Sequence, residues 1–169
     1  MGMPRKLKGF NLFHNGTNFM GEVAEVNLPK LKRKMEAWQG GGMGGPIKID
    51  FGNDELQLEW TCGGFMEDVV SQYGILKHDG VQLRFAGGYQ REDSKRFDSI
   101  EVVVRGRHEE IDMGRAKAKE DTEFKVTTNA SYYKLTMNGR VLIELDFVNM
   151  IQRVNGDDLI ADLRAAIGL

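Results

Sequence analysis

Apolar and polar residues alternate along most of the chain, which is the pattern of strands with one buried face and one wet face. The alternation is clearest in ELQLEWTC, where the apolar residues at 56, 58, 60 and 62 share one face. Glu55, Gln57 and Glu59 lie on the opposite face. The same alternation predicts further strands within residues 81–85, 99–104 and 124–132.

Two Asn-Gly dipeptides separate pairs of such segments. Asn15-Gly16 lies between residues 9–14 and 17–23, and Asn138-Gly139 lies between residues 132–137 and 140–145. Because this dipeptide tolerates positive φ at both central positions of a tight turn, each one predicts a β-hairpin.

Helical spacing occurs in two places. Apolar residues recur at helical intervals from Phe65 to Tyr73, and Gly74 is placed to end that helix. A second helix is predicted to begin at Asp157 or Asp158 and to continue to Gly168.

The expected fold is therefore mainly β with minor α: an antiparallel β-sandwich or barrel of roughly seven or eight strands, one internal helix and one short C-terminal helix. A chain of 169 residues favours a single domain at 1–169, because one core of this size buries roughly 70% of the unfolded surface. Residues 114–123 are polar and unpatterned, which predicts an exposed loop.

Residues 40–45 read GGGMGG. Gly40, Gly42 and Gly45 fit the spacing of a dinucleotide-binding loop, but that motif requires a strand before it and a helix after it. Here Pro46 and the strand-like IKIDF follow directly. Since both flanks are extended, we interpret residues 30–52 as a long hairpin arm whose glycine-rich tip is mobile in the free subunit.

Charge and cysteine content exclude several classes of protein. Lys and Arg number 23 against 25 Asp and Glu, so the net charge of −2 gives no general attraction to DNA or to anionic membranes. Cys62 is the single cysteine, which excludes an internal disulfide and a thiolate zinc site. Neither a signal peptide nor a long apolar run is visible, and we expect a soluble chain in a reducing cytosol.

The sequence offers no catalytic constellation. Its three histidines are His14, His78 and His108. His108 precedes Glu109-Glu110, but adjacent residues of a strand point to opposite faces, so this trio cannot form a metal site by local geometry. We interpret His108 as a solvated residue and expect no enzyme activity, no cofactor and no metal.

The basic run KLKRK at 30–34 raises a nucleic-acid hypothesis. Basic segments with aromatic neighbours hold a nucleic-acid backbone and stack its bases, but Trp38 is the only aromatic residue nearby and Glu36 dilutes the charge. A solvated or inter-subunit face is the favoured interpretation. A small β-barrel that binds single-stranded nucleic acid remains an alternative.

An ordered series of short motifs resembles the major tail-tube proteins of contractile-tailed bacteriophages and covers nearly the whole chain from Pro4 to Leu169. Its N-terminal part is Leu28-Pro29-Lys30-Leu31, Lys34, Glu36, Gly41-Gly42-Met43, Pro46, Asp50 and Gly52. Its remainder is Arg105-Gly106-Arg107, Glu110-Ile111-Asp112, Glu120-Asp121-Thr122-Glu123, Leu135-Thr136-Met137, Asn149-Met150-Ile151 and Val154-Asn155-Gly156. Gly44 and Gly45 depart from the usual small polar residue, and Lys119 stands where glycine is expected.

The resemblance implies a structural virion protein, assembled in the bacterial cytoplasm, whose hexameric rings stack into the inner tail tube and form the conduit for genome ejection. Implied partners are further copies of the chain, the sheath, the baseplate or tube initiator, the tape-measure protein and the tail terminator. Phage DNA would pass through the lumen without specific binding, and no membrane is involved. The inner tube of a DNA-free bacteriocin or injection particle is the alternative.

Three sets of residues are candidates for assembly contacts. The candidate inter-subunit arm comprises Lys30, Lys32, Lys34, Glu36, Trp38, Gly40, Gly41, Gly42, Met43, Gly44, Gly45 and Pro46. Glu55, Gln57 and Glu59 are candidates for the lumen face, because an acidic lining repels phosphate. The alternative, of equal weight, is that this face meets solvent or a neighbouring subunit. Arg105, Arg107, Glu110 and Asp112 are candidates for charges that set the register between neighbours in a ring.

Overall fold

The computed structural model describes residues 2–169, which form twelve strands and two short helices. The strands are β1 (Lys6–His14), β2 (Thr17–Asn18), β3 (Val23–Asn27), β4 (Arg33–Trp38), β5 (Ile47–Asn53), β6 (Leu56–Cys62), β7 (Val81–Gln90), β8 (Phe97–Asp112), β9 (Phe124–Met137), β10 (Arg140–Asp146), β11 (Ile151–Val154) and β12 (Asp157–Asp158). The helices are α1 (Glu67–Val70) and α2 (Ala161–Ala166).

Ten strands form one antiparallel sheet that is built on the long β8–β9 ladder. The first half of β9 pairs with β6, and its second half pairs with β10, so the sheet divides at about residue 131. One branch continues from β6 to β3, and the other continues through β10 to β11 and β12. On its other side β8 pairs with β7, which pairs with β1.

One apolar core lies inside this curved sheet, which we call the barrel. Alternate residues of β6 and β8 point into it, including Leu58, Trp60, Val102 and Val104, all with 1% exposure or less. Buried residues of β1, β7 and β9 complete the cluster. The predicted mainly β antiparallel fold is confirmed, and the alternation identified the inward face of each of these strands.

Both predicted hairpins form, with Asn15 and Asn138 at positive φ of 47° and 50°. The return strand after Gly16 is much shorter than predicted, because only Thr17–Asn18 pairs with β1 before the chain turns away. The internal helix also covers less than the predicted span. Asp157 and Asp158 pair with β11 instead of starting the last helix, which begins at Ala161.

A separate two-stranded sheet of β4 and β5 forms an arm over residues 30–52. In the described chain no ladder hydrogen bond joins this sheet to the barrel. The base of the arm is held where Leu28 packs against the core and where the Asp54 amide donates to the Lys32 carbonyl over 2.8 Å.

Candidate assembly surfaces

One face of the arm is apolar and uncovered. Trp38 lies opposite Ile47, and Ile49 lies opposite Glu36. Phe51 lies two residues beyond Ile49 and shares its face, because side chains of a strand alternate. The exposed fractions of Trp38, Ile47, Ile49 and Phe51 are 54%, 53%, 38% and 59%. Glu36 shares this face with the four apolar side chains, and exposed groups of large apolar side chains are typical of interaction surfaces.

The tip of the arm is a compact turn. The Gly40 amide donates to the Met43 sulfur over 3.2 Å, and the Gln39 side chain donates to the Met43 carbonyl over 3.0 Å. Gly42 adopts a φ of +83°, which glycine reaches without strain. A Cβ on Gly40 would lie 2.6 Å from the Trp38 ring, so glycine is needed there for the indole to lie across the turn. Mobility of this tip stays a prediction.

A groove of about 730 Å³ opens beside the base of the arm, between the unpaired edges of β1 and β3. Its apolar walls include Leu7, Phe10, Leu28 and Phe85. In the described chain the edges at 6–11 of β1 and 24–27 of β3 have no ladder partner. Free edges of this kind offer backbone donors and acceptors to another chain.

The predicted lumen residues Glu55, Gln57 and Glu59 all line this groove. They share the rim with Lys30 and Lys32, so its charge is mixed rather than uniformly acidic. Gln57 is further occupied by a hydrogen bond that it donates to the Glu109 carboxylate over 2.9 Å. A position on the tube lumen stays a prediction for these three residues.

The four predicted ring-interface charges lie along β8, where three make contacts within the subunit. Asp112 accepts a hydrogen bond from the Gly114 amide over 2.8 Å. The Arg105 guanidinium stacks on the Tyr132 ring, 3.9 Å from its centroid. Arg107 donates to the Leu76 carbonyl over 2.9 Å. Glu110 and Asp112 are exposed, and none of the four forms an ion pair within residues 2–169. Their role between subunits stays a prediction.

The structure corrects the interpretation of His108, which is buried instead of solvated. His14 is buried beside it, with the two ring centroids 6.0 Å apart. Burial, together with the nearby His14, lowers the pKa of His108 to about 4. Burial also lowers the pKa of His14, against the opposing effects of Gln72 and Asp68. One signal pointed to burial: His14 and His108 continue the inward positions of Leu12 and Val104.

The described residues include no cluster of three or more His, Cys, Asp or Glu side chains able to hold a metal ion. Cys62 is buried, and burial followed by the Glu22 charge raises the pKa of its thiol to about 12, which leaves it unreactive. Residues 2–169 also contain no helix long and apolar enough to cross a membrane. The features that stand out on the described residues are the exposed apolar face of the arm and the groove beside its base, which are candidate surfaces of a structural subunit.

The family model described as phage tail tube protein FII matches residues 4–168, and the chain belongs to this family. It is 46% identical over 172 residues to the tail tube protein of Escherichia phage P2, with 100% of both chains covered. It is 38% identical over 172 residues to the major tail tube protein of Serratia phage KSP20, covering 100% of this chain and 99% of the relative. The predicted family is confirmed, and the chain is a structural component of a virion tail rather than an enzyme.

Solved structures share the fold at low identity. The sheath/tube terminator of an extracellular contractile injection system, PVC, in the extended state aligns with a TM-score of 0.60 and 9% identity, over 79% of this chain and 96% of that one. The tube-terminating cap of the anti-feeding prophage aligns with a TM-score of 0.59 and 10% identity, over 80% and 93% of the two chains.

Proposed function

We propose that this chain polymerises as hexameric rings that stack into the inner tube of a contractile phage tail, through which the genome is ejected. The observation that carries the proposal is the uncovered apolar face of the arm. The free subunit exposes Trp38, Ile47, Ile49 and Phe51 together. The free energy of the system falls when a neighbour covers these side chains, because their apolar surface leaves water.

The arm and the groove are different surfaces on one subunit, so an arm seated near the groove of a neighbour is a heterologous contact. Heterologous contacts generate closed rings or helical stacks, which are the two arrangements that a tube combines. The unpaired edges of β1 and β3 would extend the barrel sheet into the next subunit by strand pairing.

Both surfaces carry charges of both signs, which would pair across the contact. The arm exposes Lys34 and Lys48 together with Glu36. Asp54, Glu55 and Glu59 line the groove together with Lys30 and Lys32. Opposite charges at the edge of an apolar contact guide the approach of two surfaces and fix their register more than they add affinity.

Family membership supports the sixfold ring, the passage of DNA and the further partners, which are sheath, tube initiator or baseplate, tape-measure protein and tail terminator. The two phage relatives at 46% and 38% identity favour a genome-carrying tail over a DNA-free particle. Under this proposal the lumen passes DNA without specific binding.

The test introduces charge into the arm face by the double substitution Ile47→Lys and Ile49→Lys. Assembly is measured by negative-stain microscopy and sedimentation velocity of concentrated protein seeded with short tube fragments. We expect hollow rods from the wild-type chain and persistent monomer from the double variant, with an unchanged melting temperature. The matched control is Met20→Lys, which adds charge at an exposed apolar residue outside the arm and groove.

Normal rods from the double variant, or seeded wild-type protein that never polymerises, would contradict the proposal. Two further measurements sharpen it. Hydrogen exchange at residues 37–47 should slow on assembly, since ordering of the tip is coupled to contact with a neighbour. Affinity for single-stranded oligonucleotides should be weak, and a strong affinity that falls steeply with salt would favour the nucleic-acid-binding alternative.

A further inference from the structure

The arm is uncovered on both faces, because every residue from Arg33 to Trp38 and from Ile47 to Gly52 is exposed. The proposed contact with a groove covers only the apolar face described above, which we call the front of the arm. A two-stranded sheet is marginally stable by itself and is stabilised by packing against other elements. The opposite face, which we call the back of the arm, is left without a partner by that contact.

The back of the arm combines small or flexible apolar side chains with one positive charge. Met35 lies opposite Asp50, and Ala37 lies opposite Lys48, so these four residues share the back. Met35 is 42% exposed, and its unbranched side chain adapts to irregular surfaces. Asp50 is paired with Arg33 over 3.4 Å. Lys48 is thus the charge of this face that a partner meets.

Residues 63–80, which we call the outer segment, connect β6 to β7 and are held in place by the barrel. Met66 and Val69 are buried in the core. Arg107 of β8 donates to the Leu76 carbonyl over 2.9 Å. Because the outer segment is already fixed, a partner that binds it loses little free energy to ordering of the chain.

Three large side chains of the outer segment are exposed. The exposed fractions of Phe65, Tyr73 and Leu76 are 65%, 68% and 92%. Aromatic side chains contribute strongly to the energy of protein contacts. The outer segment therefore presents bulky groups, whereas the back of the arm presents small or flexible ones, and the two are complementary in shape.

The outer segment also carries negative charge. Glu67 and Asp68 are exposed, and neither forms an ion pair within residues 2–169. Lys77 is paired with Asp79 over 3.6 Å, so it does not offset them. A partner for this surface should therefore bring positive charge.

Charge complementarity favours the arm of a second copy as that partner. Residues 30–52 contain five Lys or Arg and two Asp or Glu, so the arm has a net charge of +3, whereas the whole chain has −2. The remainder of the chain is therefore acidic, and it attracts the arm of another copy. The back suits the outer segment better than the front, because the front carries Glu36, which would face acidic residues.

We propose that the outer segment of one subunit receives the back of the arm from a second copy of the chain. Lys48 then lies near Glu67 and Asp68, and Met35 covers the exposed side chains around Leu76. The inference rests on the proposed polymerisation, in which the front of the same arm meets a groove. Each arm is then held between two other copies, one at each face.

Disulfide cross-linking between two variants of the full chain tests this contact. Met35→Cys and Leu76→Cys proteins are mixed and oxidised mildly, with and without tube seeds, so that a disulfide between positions 35 and 76 must join two copies. The native Cys62 is buried and does not compete. We expect this disulfide to form at least about tenfold faster than one between Met113→Cys and Leu76→Cys, because contact raises the effective concentration of the two thiols.

Met113 is the matched control position, since it is an exposed methionine outside the arm. Equal rates for the two mixtures would overturn the inference. A disulfide between two copies of Met35→Cys that forms faster than the mixed one would also overturn it, because the proposed contact joins different surfaces.

Charge reversal provides a second measurement. Lys48→Glu and Glu67→Lys each place like charges across the contact, and each should raise the critical concentration for polymerisation about threefold or more. The combined variant Lys48→Glu with Glu67→Lys restores opposite charges and should return this concentration towards the wild-type value. Lys95→Glu, which reverses an exposed charge outside the arm, is the matched control and should change nothing.

The outcomes distinguish this contact from the proposed function itself. Normal polymerisation of Lys48→Glu and Glu67→Lys, with rods still blocked by Ile47→Lys and Ile49→Lys, would refute the contact at the back and leave the proposed function intact. Failure of the combined variant to recover would contradict the pairing of these two charges. If the seeded wild-type chain never polymerises, the proposed function fails, and the cross-linking rates still decide whether arm and outer segment meet.

Discussion

β5 and β6 follow one another along the chain, and each has seven residues with the same alternation of apolar and polar side chains. They lie in different sheets, and the surroundings of their apolar side chains differ. In β6 the apolar residues Leu56, Leu58 and Trp60 are 2% exposed or less. In β5 the corresponding residues Ile47, Ile49 and Phe51 are 38% to 59% exposed. The first strand faces a core within the subunit, and the second faces nothing within it.

The comparison shows that alternation in the sequence identifies the apolar face of a strand. It does not indicate which part of the molecule, if any, covers that face. The barrel strand has neighbours on both sides, β3 and β9, and further strands across the core. The arm strand has only β4. Under the proposed polymerisation, part of the apolar surface that would otherwise complete a core is left for the next subunit.

The largest expected difference in unfolding free energy is between a Gly→Ala substitution in the barrel and one in the arm. A Cβ at Gly106 would lie 1.7 Å from the Asn129 carbonyl oxygen, so Gly106→Ala must displace the β8–β9 ladder. We expect a loss of about 4 kcal/mol or more, enough to prevent folding. At Gly41 a Cβ meets no atom within 4 Å, and Gly41→Ala should leave stability almost unchanged.

Denaturant unfolding followed by circular dichroism measures both effects. Gly88→Ala is the control within the barrel, because its nearest contact of 3.7 Å is an ordinary van der Waals distance. A folded Gly106→Ala protein of normal stability would show that the two strands separate more easily than this packing implies.

The next effect compares the two strands directly. Leu58→Ala removes a fully buried side chain and should cost about 2–5 kcal/mol of unfolding free energy. Ile49→Ala in the free subunit should change that free energy by less than about 0.5 kcal/mol, because no core surrounds it. Thermal and denaturant unfolding of monomer test the pair, and comparable losses in both variants would break the distinction between barrel and arm.

Acid should destabilise the barrel through its buried histidine His108, whereas the arm at residues 30–52 contains no histidine. The folded-state pKa of His108, about 4, lies below its ordinary value of 6.5, so the unfolded chain binds the proton more tightly. Its contribution is therefore complete above pH 6.5 and is lost as the pH falls towards 4, which amounts to about 3 kcal/mol.

Unfolding free energies measured across this pH range test the linkage. In His108→Gln the slope between pH 6.5 and 4 should decrease, because the titrating ring that gives rise to it is gone. An undiminished slope would assign the acid sensitivity to other groups.

The smallest expected effect concerns positions with left-handed backbone. In the arm these positions are Gly42 and Gly52, whereas the loop between β8 and β9 places Lys119 at a φ of +66°. Left-handed backbone costs a non-glycine residue about 1–2 kcal/mol, and the greater freedom of glycine in the unfolded chain offsets much of this. Lys119→Gly should stabilise the protein by about 0.5 kcal/mol, seen as a small rise in Tm, and destabilisation would contradict this account.

Local signals predicted much of the fold. Asn15 and Asn138 identified both tight hairpins, and the departure of Lys119 from an expected glycine marked a position that has positive φ. Weaker local signals gave wrong boundaries. Asp157 and Asp158 are good residues to start a helix, but pairing with β11 holds them in a strand, because tertiary hydrogen bonds outweigh a local preference of a few tenths of a kcal/mol.

The candidate surfaces were predicted less completely. GGGMGG between two extended segments identified the arm, since only a turn uses so many residues without side chains. The groove was missed, because it forms between β1 and β3, which no motif connects. The prediction that His108 is exposed to solvent was wrong, because it relied on the neighbouring carboxylates Glu109 and Glu110. The alternation along β8 after Val104 places His108 on the inward face and would have predicted its burial.

The sequence by itself determined the family, the strand-rich class and the two faces of each strand, because motif order, turn chemistry and alternation are local properties of the chain. Tertiary structure decided which apolar faces are covered and which groups far apart in the chain meet. His14 and His108 converge on Gln72 only after β1, β8 and residues 63–80 have packed together. Burial depends on what lies across a face, and no element of the described residues lies across the apolar face of the arm.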